Sequence, residues 1–596
     1  DAQESRGLGD VYKRQEYINM DSSKTIIQIH SLLKQFGIKK IVFSAGSRHL
    51  SLIHSIEQDN FFETYRVVDE RSGAFFALGL IQKTSQPVAI CGTSGTAVIN
   101  MASAVIEAFY QRLPLLVITG DRMPEYLNQN EDQQYDQIKS FEGYTKYQVR
   151  LPRIDTDVDE WYTNRLVNEA MIELTHHGNG PVHIDYPIQD PFSEMFETTN
   201  LPMVRKINLH QADMTDTEWK TCASWLKDKK VAILWGQAVF ASPELEKAVD
   251  MFVDTFDAVI MTDHISNCHY PHAFNNTTRI LRTHFTVQEE NCLMPDVLIS
   301  VGGNIAFNDS IKGKMSRWNT QHWQVGREDK VIDGFRRLSH LFEMSEAFFF
   351  RKMSESAESK NKNGYYDYWK TIDSEIPEPE ANEYNELGII KILMKNMPKD
   401  ADLQIGNSWS IRMTQLFDMP PTVNQYCNRG VNGIDGSMST AVGYAAGNDR
   451  LTYLVIGDLS FFYDMNSLWI SSLPATMRIL LINNHGGSML FKPFMKELME
   501  NYPMSNLGKD TKMVNAEGWA KTCGFEYHAV HNMEEMERCA KIMSNKASDK
   551  PVLVEAFTDY FEDAYSYLNE KGAERRSLTE KMEYKFTRLK QIIKKK

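Results

Sequence analysis

The chain contains 596 residues, of which 42% are hydrophobic and 24% are charged, values that are ordinary for a globular protein. One hydrophobic core rarely serves so many residues, so we expect about three domains. The formal net charge of -14 argues against a nucleic-acid-binding surface, because such surfaces are normally basic. We therefore predict that the chain has no nucleic-acid partner.

The seven cysteines are scattered, odd in number and include no Cys-X-X-Cys pair. This pattern is typical of free thiols in a reducing compartment, so we predict a cytoplasmic protein without a disulfide framework. No apolar run approaches the roughly 18 residues that span a bilayer, and we expect no membrane insertion.

The two ends of the chain differ in composition from the sequence between them. Residues 1–20 are largely polar and lack the apolar stretch of a secretory signal, so we expect a non-native or disordered extension there. Residues 570–596 are strongly charged and carry apolar residues at roughly helical spacing, which predicts a charged C-terminal helix. A surface helix is the plainer interpretation, and a membrane or partner helix is the alternative.

Short apolar runs alternate with helical stretches in a first block, residues 21–190. We predict strands at residues 40–44, 87–91, 114–119 and 181–185, several of them followed by a glycine-containing turn. Such alternation is typical of βαβ units, whose strands form a parallel sheet.

The same alternation recurs in a second block, residues 205–355, and in a third block, residues 385–565. Polar stretches between the blocks indicate linkers. The strands predicted in these two blocks lie at residues 230–235, 296–301, 403–405, 451–456, 477–482 and 551–556. The whole pattern predicts an α/β protein with three doubly wound parallel-sheet domains.

Polar segments follow two neighbouring predicted strands of the third block. Asp458 comes just after the first of these strands, and Asn484 and Gly486 come just after the second. Open α/β sheets bind ligands beyond the carboxyl ends of their strands. A carboxylate, an amide carbonyl and a backbone carbonyl can complete an octahedron around Mg²⁺ together with diphosphate and water oxygens. Each segment alone is also typical of an ordinary turn, and their pairing favours a metal site.

These segments resemble the diphosphate-binding motif of thiamine-diphosphate-dependent 2-oxoacid decarboxylases, with Leu459 in place of the usual second glycine. In the first block, Val67-Val-Asp-Glu-Arg-Ser-Gly73 and Thr93-Ser-Gly-Thr-Ala97 resemble the pyrimidine-binding domain of those enzymes. The resemblance implies a pyrimidine-binding domain, a middle (transhydrogenase-III-like) domain and a diphosphate-binding domain, in that order. It also implies two cofactors, thiamine diphosphate and Mg²⁺ or Mn²⁺.

The resemblance assigns a catalytic role to Glu70. Its carboxyl would hydrogen-bond the aminopyrimidine ring and favour the imino tautomer, which takes the proton from the thiazolium C2. In that fold Glu70 reaches a cofactor held by another subunit, which implies a homodimer or homotetramer with active sites at the subunit interface. A solvated helix start is the plainer interpretation of a lone glutamate. The implied metal ligands are Asp458, Asn484 and Gly486, and the implied cofactor-binding residues are Glu70, Thr93, Ser94, Gly95, Gly433, Ile434, Gly457, Asp458, Leu459, Ser460, Asn484 and Gly486.

Among these enzymes, the chain resembles the menaquinone-pathway synthases that decarboxylate 2-oxoglutarate and add the succinyl-semialdehyde unit to isochorismate. The resemblance covers most of residues 21–570. Its segments include Ser44-Ala-Gly-Ser-Arg48, Gly120-Asp-Arg122, Gly406-Asn-Ser408 and Asn428-Arg-Gly-Val-Asn-Gly-Ile-Asp-Gly436. Both substrates are dianions, and arginine offers a planar fork to a carboxylate. The implied substrate residues are Ser47, Arg48, Arg122, Gln133, Ser408, Arg412 and Arg429, with Gln134 or Gln137 as alternatives to Gln133.

The sequence also departs from the synthase pattern. Ala45 stands where the family usually has proline, and Asn308 and Asp309 stand where it carries a basic pair, with Lys312 and Lys314 as alternative candidates for that pair. After Gly487, the family's Ile-Phe becomes Met489-Leu490, or a shift brings in Phe491. For any single arginine a surface ion pair is the plainer interpretation.

Two other functions remain open at this point: a thiamine-diphosphate enzyme that uses a different acceptor, and a protein of this fold that binds ligand without turnover. Asp263, His264, Cys268, His269 and His272 are residue types that can bind zinc. Their spacing matches no zinc site well and favours a polar loop with satisfied histidines.

Overall fold

The computed structural model describes residues 21–189, 201–206, 214–237, 242–306, 308–315, 317–327, 332, 334–335, 337–491, 514–569 and 575. The extension predicted for residues 1–20 lies outside the described residues, and so does the helix predicted for residues 570–596 apart from Arg575. In the described part, the strands form three six-stranded sheets in which every strand pair is parallel. The predicted α/β class is confirmed.

The first sheet has the strand order β2-β1-β3-β4-β6-β5. Its strands are β1 (Lys40–Phe43), β2 (Glu63–Arg66), β3 (Val88–Gly92), β4 (Leu115–Asp121), β5 (Tyr147–Arg150) and β6 (Val182–Pro187). Its helices are α1 (Asp21–Gln35), α2 (Leu50–Glu57), α3 (Glu70–Thr84), α4 (Thr96–Asn100), α5 (Ala102–Gln111) and α6 (Asp157–Glu173).

The second sheet has the order β12-β11-β10-β7-β8-β9, which differs from that of the first. Its strands are β7 (Val231–Trp235), β8 (Val259–Thr262), β9 (Ala273–Phe274), β10 (Val297–Val301), β11 (Gln321–Gly326) and β12 (Leu338–Glu343). The accompanying helices are α7 (Asp216–Ser224), α8 (Pro243–Phe256), α9 (Thr277–Arg282), α10 (Val287–Leu293), α11 (Asn308–Met315), α12 (Glu346–Glu355) and α13 (Tyr365–Glu375).

The third sheet, β14-β13-β15-β16-β18-β17, repeats the strand order of the first. Its strands are β13 (Asp402–Ile405), β14 (Gln425–Cys427), β15 (Thr452–Gly457), β16 (Met477–Asn483), β17 (Glu526–Val530) and β18 (Val552–Phe557). Its helices are α14 (Glu386–Asn396), α15 (Trp409–Thr414), α16 (Ser437–Ala446), α17 (Asp458–Tyr463), α18 (Glu517–Thr522), α19 (Met533–Met543) and α20 (Tyr560–Asn569). Short 3-10 turns occur at Pro124–Tyr126, Gln137–Phe141, His264–Ser266, Met465–Trp469 and Ser488–Leu490.

Every apolar run that was predicted to be a strand is a strand. These strands are central in their sheets and nearly continuously buried, as in β3 and β16, because helices cover both faces of a parallel sheet. Each sheet lies inside one of the predicted ranges 21–190, 205–355 and 385–565, while the domain boundaries themselves remain a prediction. Across the described ranges, every helix falls short of the length and apolarity that a bilayer-spanning segment needs.

Helices α3 and α16 join the first and third sheets through a contact between their backbones. A Cβ atom on Gly79 would lie 1.9 Å from the Thr440 carbonyl oxygen, and one on Gly443 would lie 2.0 Å from the Phe76 carbonyl oxygen. Only glycine therefore fits at these two positions without moving the helices apart. The contact fixes the position of α3, whose first residue is Glu70, relative to the third sheet.

Candidate functional site

The predicted site residues cluster beyond the strands where the chain changes direction within a sheet. In the first sheet, β1 lies between β2 and β3. The chain runs from β1 to β2 on one side and then crosses to β3 on the other side. Strand β13 has the same place in the third sheet, between β14 and β15. A crevice forms at the carboxyl ends of the strands at such a point. Ser47 and Arg48 follow β1 and Thr93 to Gly95 follow β3, while Ser408 follows β13. Asp458 lies at the matching end of β15.

Asp458 connects the ends of β15 and β16. It is only 5% exposed, and its carboxylate accepts hydrogen bonds from the Leu459 N–H at 2.7 Å and the Gly486 N–H at 2.8 Å. Burial raises the pKa of Asp458 to about 6, although these N–H donors act in the opposite direction. Holding a carboxylate in this buried position therefore costs folding free energy.

Asn484 presents a buried oxygen that has no partner. Its Nδ2 donates to Asp563 Oδ2 at 2.7 Å and, less closely, to Ser488 Oγ at 3.3 Å. Its Oδ1 is buried and makes no hydrogen bond with any described residue. Buried side-chain oxygens are nearly always hydrogen-bonded, so an unpaired one indicates a place for a ligand or ion.

Three buried carboxyl groups lie in this region, and no cationic side chain of the described residues forms an ion pair with them. They are Asp458, Asp563 and Glu386. Burial, together with the neighbouring Asp563, holds the pKa of Glu386 well above its ordinary value, and burial raises the pKa of Asp563 to about 6. An unpaired carboxylate with an open amide oxygen beside it suits a hard divalent cation.

Glu70 begins α3, directly after the N-cap residue Asp69, whose carboxylate accepts the Ser72 N–H at 2.9 Å. The Glu70 carboxylate accepts a hydrogen bond from Asn100 Nδ2 at 3.1 Å. In the described part of the chain, no hydrogen bond or ion pair links Glu70 to Asp458 or Asn484. One chain thus holds both groups without bringing them into direct contact.

The residues next to Glu70 nevertheless contact the third sheet's own segments. Asn466 Nδ2 donates to Asp69 Oδ2 at 3.1 Å, and Arg71 Nη2 donates to the Tyr463 carbonyl at 2.9 Å. These bonds orient the start of α3, so the Glu70 side chain has a defined direction.

The turn after β3 is built for close approach. Gly95 has a φ of 78°, and its N–H donates to Gln137 Oε1 at 3.2 Å. Thr93 Oγ1 accepts the Arg48 N–H at 3.4 Å. The buried Ser94 Oγ makes no hydrogen bond with a described residue, so it is available to a ligand.

Two apolar side chains are partly exposed beside Asp458. Ile434 is 40% exposed and Leu459 is 37% exposed. Ser460 Oγ donates to the Ile434 carbonyl, and Asn407 Nδ2 donates to the Gly433 carbonyl at 2.7 Å, so the turn at 433–434 is held against α17. Gly457, at the end of β15, completes this segment.

Two of the predicted substrate arginines lie beyond β13 and β14. Arg429 is 5% exposed; its Nη1 donates to Asn407 Oδ1 at 3.2 Å, whereas its Nε is buried and has no hydrogen-bond partner among the described residues. Arg412 Nη1 donates to the carbonyl of Ser408, a residue with a φ of 78°. A buried guanidinium with an open N–H is suited to a carboxylate.

Arg48 and Arg122 are bonded to the chain's own loops. Arg48 Nη1 donates to the carbonyl of Gln189 at 3.1 Å. Arg122 Nε donates to the Asp132 carbonyl, and its Nη1 forms an ion pair with Glu131 at 3.5 Å. The structure therefore does not bring these two guanidinium groups together with Arg412 and Arg429 by direct contact.

The structure distinguishes the three candidate glutamines. Gln137 is fully buried, where its Nε2 donates to Asp185 at 2.7 Å, and Gln134 Nε2 donates to the Met123 carbonyl at 3.2 Å. Gln133 is exposed, has a φ of 52°, and lies against Gly95. Gln133 is thus the most exposed of the three, while Gln134 Oε1 is buried without a hydrogen-bond partner among the described residues, so the choice between them stays a prediction.

The departures from the synthase pattern have mixed outcomes. Asn308 and Asp309 begin α11, and their side chains lie outside the described part. Lys314 is nearly buried, and its Nζ pairs with Glu290 Oε1 at 3.4 Å. Lys312 is therefore favoured over Lys314 as the replacement for the family's basic pair. Leu490 is 47% exposed whereas Phe491 is fully buried.

The histidines considered for zinc have separate partners. His264 contacts Gln415, His269 contacts Asn424 and His272 contacts Tyr366, as hydrogen bonds of 3.1 to 3.2 Å.

Sequence reasoning missed Asp563 and Glu107. Glu107 lies on the buried face of α5, and its carboxyl accepts the N–H groups of Gly430 at 2.7 Å and Val431 at 2.9 Å. It thereby holds the loop that carries Arg429, and burial raises its pKa. The sequence signal for Glu107 was a charged residue among the apolar residues of α5. For Asp563 no local signal exists, because its partner Asn484 is far away in the sequence.

A cavity of about 470 Å³ lies beyond the carboxyl ends of β7 and β10, and Asn304 in its lining donates to the Arg429 carbonyl at 2.7 Å. Basic side chains of the first and second sheet regions line it, namely Arg112, Lys146 and Lys312, together with Gly302 to Asn304. None of the predicted catalytic, metal or substrate residues lines this cavity.

Comparison with protein families agrees with this geometry. The thiamine pyrophosphate enzyme N-terminal TPP binding domain matches residues 25–140, and the corresponding C-terminal TPP binding domain matches residues 405–556. The matched ranges contain the first-sheet and third-sheet crevices. The chain is therefore a thiamine-pyrophosphate enzyme by fold and by domain content.

Curated relatives narrow the family. A protein of Phocaeicola vulgatus is 36% identical over 550 residues, covering 91% of this chain and 96% of the relative. One of Bacteroides thetaiotaomicron is 37% identical over 554 residues, covering 91% and 97%. One of Flavobacterium johnsoniae is 30% identical over 558 residues, covering 92% and 98%. All three are named 2-succinyl-5-enolpyruvyl-6-hydroxy-3-cyclohexene-1-carboxylate synthase, and the chain belongs to this family.

Proposed function

We propose that the chain catalyses decarboxylation of 2-oxoglutarate and addition of the succinyl-semialdehyde unit to isochorismate, a transferase reaction of menaquinone biosynthesis. Membership of the synthase family supports this reaction. The structural observation that carries it is the buried Asp458 carboxylate beside the unpaired Asn484 Oδ1, at the carboxyl ends of β15 and β16.

Mg²⁺ or Mn²⁺ is the second part of the proposal. The carboxylate of Asp458, the amide oxygen of Asn484 and the backbone carbonyl of Gly486 would hold the ion together with the diphosphate. These donors are the oxygen types that hard divalent cations prefer. The ion would supply the positive charge that the described side chains do not give to this acidic region.

When bound, thiamine diphosphate supplies the nucleophilic carbon and stores the electron pair that CO₂ leaves behind. Glu70 would hold a proton at its carboxyl and share it with the aminopyrimidine ring, which is general acid–base work. The open Nε of Arg429, with Arg412 and Ser408 nearby along the same strand ends, would bind a substrate carboxylate. Ile434 and Leu459 would exclude water from the reacting centre, since both present apolar surface beside Asp458.

Assembly as a homodimer or homotetramer, with Glu70 serving a neighbouring subunit, completes the proposed site. Two observations support it. Glu70 does not contact the Asp458 region directly, and large apolar side chains are exposed near the start of α3. Val68 is 58% exposed and Tyr463 is 56% exposed. Exposed apolar patches are typical of subunit interfaces. A cytoplasmic location is also proposed, since all seven cysteines are free.

The test is an assay of CO₂ release and adduct formation with purified protein, thiamine diphosphate and Mg²⁺. We expect CO₂ from 2-oxoglutarate, and the mass of the coupled product when isochorismate is added. Decarboxylation without adduct would overturn the acceptor and leave the cofactor assignment standing. Cofactor binding without any CO₂ release would indicate a protein that binds and does not turn over.

A further inference from the structure

We propose that Asp563 is a positioning residue, which turns the side-chain amide of Asn484 so that its carbonyl oxygen faces the metal. The inference rests on the proposed function, because it concerns the proposed metal site. Asp563 belongs to α20, outside the segments that supply the ligands, and the fold alone brings it to Asn484.

A side-chain amide has two hydrogen-bonding groups, one that donates and one that accepts. Asn484 can offer its partner either an N–H donor or a carbonyl acceptor, depending on how the amide is turned. A carboxylate only accepts, and Asp563 Oδ2 lies 2.7 Å from Asn484 Nδ2. The reverse orientation would set two acceptor oxygens against each other at this distance. Asp563 thus selects the orientation that leaves Asn484 Oδ1 open.

Asp563 can make this selection because its own position is fixed. It is fully buried, and its carboxylate accepts the Glu386 N–H at 2.6 Å and the Thr558 hydroxyl at 2.6 Å. These two donors come from the start of α14 and from the segment after β18. With Asn484, three donors converge on the carboxylate, so Asp563 acts as an acceptor towards all of them.

The expected effect follows from how outer partners of metal ligands behave. Removing a group that orients a ligand typically costs about 10- to 100-fold in metal affinity, because the ligand then samples unproductive orientations. Asp563→Asn keeps the size of the side chain and offers a single acceptor oxygen for the three donors. We therefore expect the amide of Asn484 to lose its preferred orientation in this variant.

The experiment measures Mg²⁺-dependent binding of thiamine diphosphate by calorimetry, at fixed cofactor and increasing Mg²⁺, with no substrate present. For D563N we expect the Mg²⁺ requirement to rise about 10- to 100-fold. Thr558→Val is the matched control, because it removes another donor to the same carboxylate oxygen and leaves the Asn484 contact intact. Because T558V loses one of the two donors that fix Asp563 but keeps the carboxylate against Asn484, it should raise the Mg²⁺ requirement much less than D563N does.

Folding is followed by the melting temperature of each cofactor-free variant. If D563N does not fold, Asp563→Glu keeps the carboxylate but displaces it, and it should also raise the Mg²⁺ requirement. A folded D563N or D563E that binds with wild-type Mg²⁺ dependence would overturn the proposal. An equal loss in T558V would overturn it too, by assigning the effect to general packing. A wild type without any Mg²⁺-dependent cofactor binding would instead refute the metal site of the proposed function.

Discussion

The first and third sheets have the same strand order, yet they balance their buried acids differently. In the first sheet, Asp121 and Asp185 lie at the ends of β4 and β6, and Arg150 reaches both, at 3.3 Å and 2.7 Å. In the third sheet, no ion pair of the described residues involves Asp458 or Asp563. Of these four acids, the first-sheet pair has a cationic partner within the chain, whereas the third-sheet pair has none among the described residues and could accept a cation from outside.

This difference favours the third sheet as the location of the proposed ion. Topology alone would place a ligand crevice in both sheets, since both reverse direction at the same strand. Burial raises the pKa of Asp121 to about 7 as well, so the two sheets differ in the cationic partner and not in the direction of these pKa shifts. A buried acid without a cationic partner is costly and suits a ligand cation.

The largest effect is expected from Asp458→Ala. The variant removes a carboxylate ligand while the cofactor diphosphate keeps its charge, so Mg²⁺-dependent cofactor binding should be lost. Calorimetry with thiamine diphosphate and Mg²⁺ measures it. Unchanged affinity would show that Asp458 is not part of the site. The contrast between the two sheets would then no longer hold.

Glu70→Gln tests the contribution of the first sheet to the same site. The fold and most of the cofactor affinity should remain, while exchange of the cofactor C2 hydrogen for deuterium slows by about 10² to 10⁴, the usual value of a positioned proton-transfer group. Exchange at the wild-type rate would contradict the role.

The same variant also addresses assembly. Mixing inactive E70Q subunits with inactive D458A subunits should restore part of the activity, because a mixed dimer contains one site with both groups intact. Absence of recovery in a verified mixed dimer would place both groups of each site on one chain.

Arg150→Met should break the internal balance of the first sheet. The buried Asp121 and Asp185 would lose their cation, and removing one partner of a buried pair costs about 3 kcal/mol or more of unfolding free energy. Chemical denaturation of the cofactor-free protein measures this. Arg153→Met is the control, because its ion pair with Asp155 is exposed and such pairs contribute at most about 1 kcal/mol. Equal stability of the two variants would show that Arg150 does not balance these acids.

Arg429→Lys is expected to give the smallest of these effects. Lysine retains the charge but lacks the planar fork, and the loss of a charge-assisted hydrogen bond costs about 1.5 to 3 kcal/mol, or roughly 10- to 200-fold in apparent affinity. R429K should therefore raise KM for one substrate, by less than this range because lysine keeps the charge. Arg538→Lys, at an exposed helix pair, should leave both KM values unchanged. A wild-type KM for both substrates in R429K would remove Arg429 from the pocket.

The central strands could be predicted because their burial on both faces produces continuous apolar runs. Several of the missed strands carry little apolar signal: β9 has two residues, β14 has three, and β2 alternates between partly buried and exposed positions. The neighbouring strand defines these through hydrogen bonds. Strand β8 differs, because its Val-Ile-Met-Thr run is fully buried and was missed despite its apolar character.

The candidate site residues divide in a similar way, into those that the local sequence indicates and those that only the folded chain brings together. The positions of Asp458 and Asn484 at the ends of two strands could be predicted, since each directly follows an apolar run, whereas their role as metal ligands stays a prediction. Asp563 and Glu107 could not, because their importance lies in contacts with residues that only the folded chain brings near. The choice among Gln133, Gln134 and Gln137 likewise depended on which side chains the fold buries.

The glycine contact between α3 and α16 has a consequence for mutational tolerance. Gly79 and Gly443 are not among the predicted site residues, yet at both positions even a methyl group would meet the opposing backbone. In a library of random variants, these two positions should therefore be as intolerant of substitution as Glu70, the proposed catalytic residue. A map of inactivating substitutions would then show a narrow stripe along two helices, and reading that stripe as a second binding surface would be an error.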